Sequence, residues 1–466
     1  MRILPPVAPT AEQLKILGDN KPGSLLIRGA AGSGKTTTAL LRLRQLCASW
    51  LSRRDRLGLV QPVRVLVLTY NRTLEGYIKE LARQQVVGHS GLRLEVLTFG
   101  KWAVDTLGDV DILDHGNSVR ILRPLVMPLH PDVDFLIDEV TYALGRFDPD
   151  GLDAYLTARR DGRGIAPRVD QALRRRLLNE VFRPYEETKQ KQGVLDWNDI
   201  AVAAGRVADL TPLDIVIIDE AQDFSANQVR AVRKHLASPS SMTFVMDSAQ
   251  RIYPRYFAWK EAGVDSFTQI HSLKRNYRNT RQIAAFARPL VEGLPLEDDG
   301  ALPDFDSCEK DGPLPVLVAA RYSDQIDYIL ARLIRTVNFS KESVVFLQPR
   351  GGSWFSYLRS RLKNAGISWT ELTRASSWPS GPEAVALCTL HSAKGLEFDH
   401  VIIPGLNRQV TPHGDEEGDV QLDALRRLVA MGVGRARRSV ALGYKPSDRS
   451  TVVDLLRPGT FELVEL

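Results

Sequence analysis

At 466 residues, with 44% hydrophobic and 25% charged side chains, the chain has the composition of a soluble globular protein and room for two or three domains. A net charge of +5 permits nucleic-acid binding without demanding it, no apolar run approaches the length of a membrane span, and the N-terminal MRILPPVAPT lacks the apolar stretch of a secretory signal, so a cytoplasmic location is expected. Three scattered cysteines, Cys47, Cys308 and Cys388, argue against a disulfide framework or a zinc site and fit a reducing compartment.

From the N-terminus, SLLIRG (24–29) reads as a buried strand and TTTALLRLRQLCASWL (36–51) as the helix after it. VRVLVLTY (63–70) and NRTLEGYIKELARQQ (71–85) repeat the pair, and LRLEVLTFG (92–100) supplies a third strand. Short apolar strands between helices predict a parallel α/β sheet. The pattern from 105 to 205 is helical, and within it 158–191 carries ten Lys/Arg against five Asp/Glu. Strand character returns at LDIVIIDE (213–220) and MTFVMD (242–247). The expected organisation is therefore a first α/β domain in two parts, 1–104 and 206–270, interrupted by a helical insertion over 105–205. A second α/β domain over 271–466 draws its strands from LPVLVAA (314–320), SVVFLQP (343–349), AVALCTL (384–390) and HVIIPGL (400–406). The acidic, Pro/Gly-rich stretch 292–313 reads as a solvated loop.

RGAAGSGKTT (28–37) sets Gly29, Ala30, Ala31, Gly32 and Ser33 ahead of Gly34, Lys35, Thr36 and Thr37. It follows a strand, opens a helix and fits the phosphate-loop pattern G-x-x-x-x-G-K-[ST]. Glycines let backbone N–H groups turn inward around phosphates, and the helix N-terminus adds the positive end of its dipole. Lys35 places a compact charge on the β- and γ-phosphates, and Thr36 offers a hydroxyl to Mg²⁺. VIIDEAQDF (216–224) supplies a second carboxylate site at the end of an apolar strand. Asp219 is expected to hold Mg²⁺ through water, and Glu220 to polarise the water that attacks the γ-phosphate of ATP. A chance Gly-rich turn is disfavoured for the first segment by its strand–loop–helix context, and a surface acidic turn for the second by Lys35 upstream. The two together favour an ATP site.

These segments resemble the superfamily 1 helicases of the UvrD/Rep/PcrA group. DEAQD (219–223) resembles motif II, and the other segments follow in the family order. PTAEQ (9–13) resembles the Q motif, TYN (69–71) motif Ia, and TFG (98–100) the next motif, where a His often stands in place of Gly100. DWNDI (196–200) resembles the segment that precedes motif II, DSAQRIY (247–253) motif III, and NYRNT (276–280) motif IV. TLHSAKGLEFDHVII (389–403) resembles motif V and LRRLVAMGVGRARR (425–438) motif VI. The resemblance runs from residue 9 to about 440 and implies two RecA-like P-loop NTPase domains with parallel sheets, holding ATP and Mg²⁺ between them. It implies that Gln13 reads the adenine edge, Tyr277 stacks on the base, and Glu397 holds the nucleotide side of motif V. Gln250 would contact the γ-phosphate, and Arg278 and Arg435 would reach in from the second domain as arginine fingers. For the nucleic acid it implies Tyr70, with its neighbour Asn71, then Tyr253 and either Tyr256 or Phe257, as the binding and stacking track. Thr98 and His391 would meet the backbone.

The function so implied is an ATP-dependent 3′–5′ DNA helicase or single-stranded DNA translocase. The alternative is a DNA-activated NTPase subunit that regulates or loads a protein partner, a nuclease or repair factor, in a repair or phage-defence complex. Single-stranded DNA is the expected ligand, RNA ranks below it, and no membrane is involved. The chain departs from the pattern at Arg255-Tyr256-Phe257, where motif III usually reaches a Trp, and at Gly434, where a Thr or Ser is usual. The short span between Arg278 and Thr389 implies that the second insertion of larger members is absent.

Overall fold

The computed structural model describes residues 9–29, 32–69, 72–85, 91–160, 168–247, 257–273, 275–294, 308, 310–349, 354–373, 378–379, 381–414 and 419–466. The first domain opens with α1 (Ala11–Leu17), β1 (Gly23–Gly29), α2 (Lys35–Arg56), β2 (Val63–Thr69), α3 (Arg72–Gln85), β3 (Leu92–Thr98) and α4 (Phe99–Leu107). Four further helices follow: α5 (His115–Val126), α6 (Val133–Arg146), α7 (Gln171–Arg176) and α8 (Arg183–Gln192). The chain then returns through α9 (Trp197–Ala204), β4 (Leu213–Ile218), α10 (Ala226–Arg233), β5 (Leu236–Met246) and β6 (Gln269–Leu273).

The six strands form one sheet in the order β3-β2-β4-β5-β1-β6, every pair parallel. A parallel sheet is covered on both faces, so its strands read as continuous apolar runs rather than alternating ones. Leu25, Ile27, Val65, Val67, Ile215 and Ile217 face α2 and α3. Leu26, Leu66, Leu68, Val216 and Ile218 face the opposite layer, built from α4, α9 and α10. The strand order has one consequence for chemistry. β5 lies between the phosphate-loop strand β1 and the carboxylate strand β4, so its C-terminal end also opens onto the site.

Helices α5 to α8 have an apolar core of their own, around Val126, Leu136, Val140, Leu177, Val181 and Phe182. The flanking α4 and α9 instead bury Phe99, Trp102, Ile200 and Ala204 against the first sheet.

The second domain comprises α11 (Arg281–Val291), β7 (Val316–Ala319), α12 (Tyr322–Thr336), β8 (Val344–Gln348), α13 (Trp354–Asn364), β9 (Trp369–Glu371), β10 (Val385–Thr389), β11 (Phe398–Ile403), α14 (Val420–Val433), β12 (Ala436–Tyr444) and β13 (Glu462–Glu465). Its parallel sheet runs β13-β7-β12-β11-β8-β10-β9. α11 and α14 cover one face, and α12 and α13 the other. Among the described residues, each helix and strand between Arg281 and Thr389 packs into this one domain, and none forms a separate core there. The fold is thus two RecA-like α/β domains with parallel sheets, as expected from the sequence.

Two local expectations shift. The third strand stops at Thr98, because the Thr98 hydroxyl accepts the Lys101 N–H and starts α4 at Phe99. Four strands, β6, β9, β12 and β13, have no counterpart in the sequence reading. β6, β9 and β13 are sheet edges with half-exposed patterns, and β12 begins with the polar run Arg437-Arg438-Ser439. The predicted loop 292–313 falls mostly outside the described residues.

Candidate ATP site and nucleic-acid interface

The phosphate loop turns through left-handed glycines, Gly32 at φ +82° and Gly34 at φ +79°. A Cβ on Gly32 would lie 2.2 Å from the Asn276 side-chain oxygen, so the loop packs directly on the second domain's leading segment. The Tyr277 N–H donates to the Gly32 carbonyl at 3.1 Å and completes that contact. Gly34 lies beside Gln13, whose amide donates to the Gly34 carbonyl at 3.5 Å. The Gln13 carbonyl oxygen meanwhile accepts the Thr10 N–H as half of a capping box on α1. The side chain expected to read adenine is therefore buried and fixed against the phosphate loop. Tyr277 is half-buried beside it.

α2 starts at Lys35, and its first turn carries the reactive groups. The Thr36 hydroxyl donates to Asp219 Oδ2 at 3.0 Å, which joins the phosphate-loop helix to the end of β4. Lys35 Nζ pairs at 2.9 Å with Asp247, at the end of β5. Ser33 is fully buried and Thr37 exposed. Burial, then the adjacent Glu220 charge, push the Asp219 carboxyl up to about 7, with Thr36 and Lys35 only partly opposing. A buried carboxylate beside a hydroxyl, strained toward protonation, is a donor set that a divalent cation would return to its ionised form. Thr36 and Asp219 therefore fit Mg²⁺, and the glycine-lined loop fits the phosphates of ATP.

Glu220 is held differently. It is a non-glycine residue at φ +53°, a conformation that costs free energy and persists only where the surroundings enforce it. Burial would push its carboxyl up, but the charges of Lys394, Arg435 and Lys35 and a hydrogen bond from Gln222 together outweigh burial and hold it below the usual range. Gln222 also accepts the Asp247 N–H at 3.0 Å, tying the ends of β4 and β5 together. Two neighbouring carboxylates are thus driven in opposite directions, Asp219 toward needing a cation and Glu220 toward staying an anion.

The second domain supplies the opposing cations. Lys394, 2% exposed, lies 2.6 Å from Asp223 and 3.8 Å from Glu220. Arg435 is buried, and burial, with Arg278 adding to it, pushes its guanidinium down to about 10 against the pull of Glu220 and Asp247. Arg278 pairs with Glu397 and donates to the Gly434 carbonyl at 3.3 Å. Burial would raise the Glu397 carboxyl, but Arg278, joined by Arg437 and Arg435, outweighs it and holds the group below its ordinary range. Both arginines expected to reach in do stand at this face, and Glu397 is the carboxylate that seats one of them. Asp247, Lys394, Gln222 and Asp223 were not among the expected site residues, although each lies inside a quoted motif. The signal available was a charged or amide side chain directly beyond a core strand.

Of the expected nucleic-acid contacts, Thr98 caps α4 at the C-terminal end of β3. His391 is exposed in the turn after β10. Phe257 is half-buried, edge-on to Trp259 with ring centroids 5.6 Å apart. Ala30, Ala31, Tyr70, Asn71, Gln250, Tyr253 and Tyr256 lie outside the described residues. No helix among the described residues is long and apolar enough to cross a membrane.

Comparison with known proteins places these features in one group. Residues 10–274 match the UvrD/REP helicase N-terminal domain and 353–446 the UvrD-like helicase C-terminal domain. A probable DNA helicase II homolog of Rickettsia conorii is 40% identical over 67 residues, 14% of this chain and 10% of that protein. The ATP-dependent DNA helicase UvrD2 of Mycobacterium tuberculosis is 22% identical over 557 residues, covering 91% of this chain and 76% of that protein. The C-terminal domain of a possible DNA helicase from Lactobacillus plantarum WCFS1 aligns at 20% identity and a TM-score of 0.30, covering 40% of this chain and 98% of that one.

Proposed function

Because this chain belongs to the UvrD/REP helicase family, we propose that it is an ATP-driven motor stepping 3′ to 5′ along single-stranded DNA. One observation carries the reading: Lys35, Thr36, Asp219 and Glu220 of the first domain meet Lys394 and Arg435 of the second across a single buried cluster. Cations on a separate domain complete such a site when the cleft is closed, so hydrolysis and domain motion are coupled. In this reading Lys35 leaves Asp247 for the phosphates of ATP, and Thr36 with Asp219 holds Mg²⁺. Mg²⁺ held there would supply charge neutralisation to the phosphates. Glu220 accepts the proton of the attacking water, and Arg278 and Arg435 steady the charge that develops. Tyr277 and Gln13 border the base.

We further place the helical insertion within 105–205, its own core over α5 to α8, between the two parts of the first domain, 1–104 and 206–270, with the second motor domain over 271–466. A cytoplasmic location suits such a motor.

The test is ATP hydrolysis with and without oligo-dT, together with strand displacement on 3′- and 5′-tailed duplexes of DNA and RNA. Stimulation by DNA at least tenfold and displacement from the 3′ tail only are expected, with stimulation falling as salt rises. Hydrolysis that ignores DNA overturns the motor. DNA-stimulated hydrolysis without displacement or translocation favours the alternative, an NTPase subunit that serves a nuclease or repair factor.

A further inference from the structure

The run TTTALLRLRQL (36–46) carries an arginine that the site described above does not use. Arg42 lies two turns beyond Lys35 on α2, on the buried side with Ala39, Leu43 and Leu46. Its side chain is 1% exposed, whereas Arg44, two positions on, faces solvent. The Arg42 Nε donates to the Thr243 hydroxyl at 3.2 Å, on β5. Its Nη1 donates to the Ile16 carbonyl at 3.1 Å and to the Asp19 carbonyl. Burial pushes the guanidinium down to about 10, with Asp19 opposing, so the group stays a cation at neutral pH. A charge so deeply buried is tolerated because hydrogen-bond acceptors surround it.

The three acceptors belong to two other elements, so one side chain joins α2 to β5 and to the end of α1. Ile16 lies in the last turn of α1 and Asp19 just beyond it. The last carbonyls of a helix carry the negative end of its dipole, which favours a guanidinium there. α1 has only seven residues, too few to hold a helix in water unaided, so its place depends on what anchors it. Gln13 lies one turn before Ile16, and both are buried. The Gln13 amide meets the Gly34 carbonyl, which also accepts the Thr38 hydroxyl at 2.8 Å. Any shift of Ile16 therefore carries Gln13 away from the phosphate loop.

A primary amide offers a donor and an acceptor side by side. That pair matches the N7 acceptor and N6 donor of adenine, whereas guanine presents two acceptors at the same edge. The match holds only while the amide keeps its place. We propose that Arg42 is a positioning residue for base selection: by fixing the end of α1 it sets Gln13 against the base, and the preference for ATP over GTP depends on it. The inference rests on the ATP-site reading above, in which Gln13 borders the base.

The test measures kcat and KM for ATP and for GTP on the full chain, with and without oligo-dT, beside thermal unfolding midpoints. The unaltered protein should prefer ATP. Gln13→Ala should lower that preference by about tenfold, the worth of one hydrogen bond to the base. Arg42→Met should lower it as far, and the loss should appear in KM for ATP while KM for GTP holds. Arg42→Lys keeps the charge but not the planar fork, and should recover part of the preference. Gln13→Ala added to Arg42→Met should lower it no further, since one residue acts through the other. If neither Arg42 variant folds, Thr243→Val carries the test: it removes only the Nε acceptor and should lower the preference by about twofold. Folded Arg42 variants that keep the full preference, or an unchanged preference in Thr243→Val, would make the arginine purely structural and overturn the inference. If the unaltered protein uses GTP as readily as ATP, the inference also falls, and the reading of the site as a nucleotide-hydrolysing centre stands. If it hydrolyses neither, that reading falls as well.

Discussion

Glu220 shows how much a single residue depends on its surroundings. Its backbone is held in the left-handed region, and four groups from both domains hold its carboxyl below the usual range. An anionic base is what water activation requires, so Glu220→Gln should bind ATP normally while turnover falls by about 10²–10⁴. A nucleotide-binding titration beside steady-state phosphate release measures both, and near-normal turnover would remove Glu220 from the role. Lys394 offers a second test, because Asp223 opposite it is fully buried. Lys394→Met should remove the ammonium 2.6 Å from that buried carboxylate and destabilise the fold by about 3–5 kcal/mol. Lys394→Met with Asp223→Asn should restore most of that stability in urea titrations. Turnover should stay low, since Glu220 has still lost its nearest cation. Recovery of both quantities together would make the lysine purely structural. The phosphate loop and the DE pair were legible because their chemistry is local in sequence. The Lys394–Asp223 pair joins residues of two domains, and no local pattern announces which carboxylate a lysine will meet.

At the scale of elements, apolar runs were read well where strands are buried on both faces, as in β1, β2 and β4. They failed at β6 and β13, edge strands that need only one partner and tolerate exposed polar positions. The insertion was legible as helical, but its internal bracing was not. Glu139 is completely buried in α6, where Arg160 meets it with two hydrogen bonds of 2.8 Å and the Tyr155 hydroxyl donates at 2.9 Å. Arg160→Ala should therefore remove the guanidinium that pairs with a buried carboxylate and cost about 3–5 kcal/mol locally. Hydrogen exchange should quicken in α6 and α7 while β1, β4 and β5 keep their protection. Equal acceleration in all of these elements would show that the insertion does not open independently. A second brace, Arg146 to Glu261, ties the end of α6 to the first domain through hydrogen bonds of 2.9 and 2.7 Å. The helices α5 to α8 are thus tied to the first domain at the end of α6.

At the scale of the whole molecule, the second domain limits what the proposed motor could do. Among the described residues, the span from α11 to β10 is used by its own helices and strands, and none of them forms a second core beside the sheet. Stepping needs only two domains that close on ATP and a strand held between them. Opening duplex needs, in addition, a surface that grips base pairs ahead of the fork. The energy is not limiting, since stacking averages about 1.4 kcal/mol per base-pair step. The limit is grip. The insertion offers one candidate surface, the basic stretch that includes the exposed Arg175 and Arg176 on α7. A single molecule should therefore translocate over long single strands yet release long duplexes before opening them. Single-turnover unwinding of a long 3′-tailed duplex, with protein below the DNA concentration, should give little product. Several motors on a longer tail, or a partner protein, should raise the yield. Efficient unwinding by one molecule would overturn the argument and assign the grip to the insertion alone. Charge reversal at Arg175 and Arg176 would then abolish unwinding while leaving translocation intact.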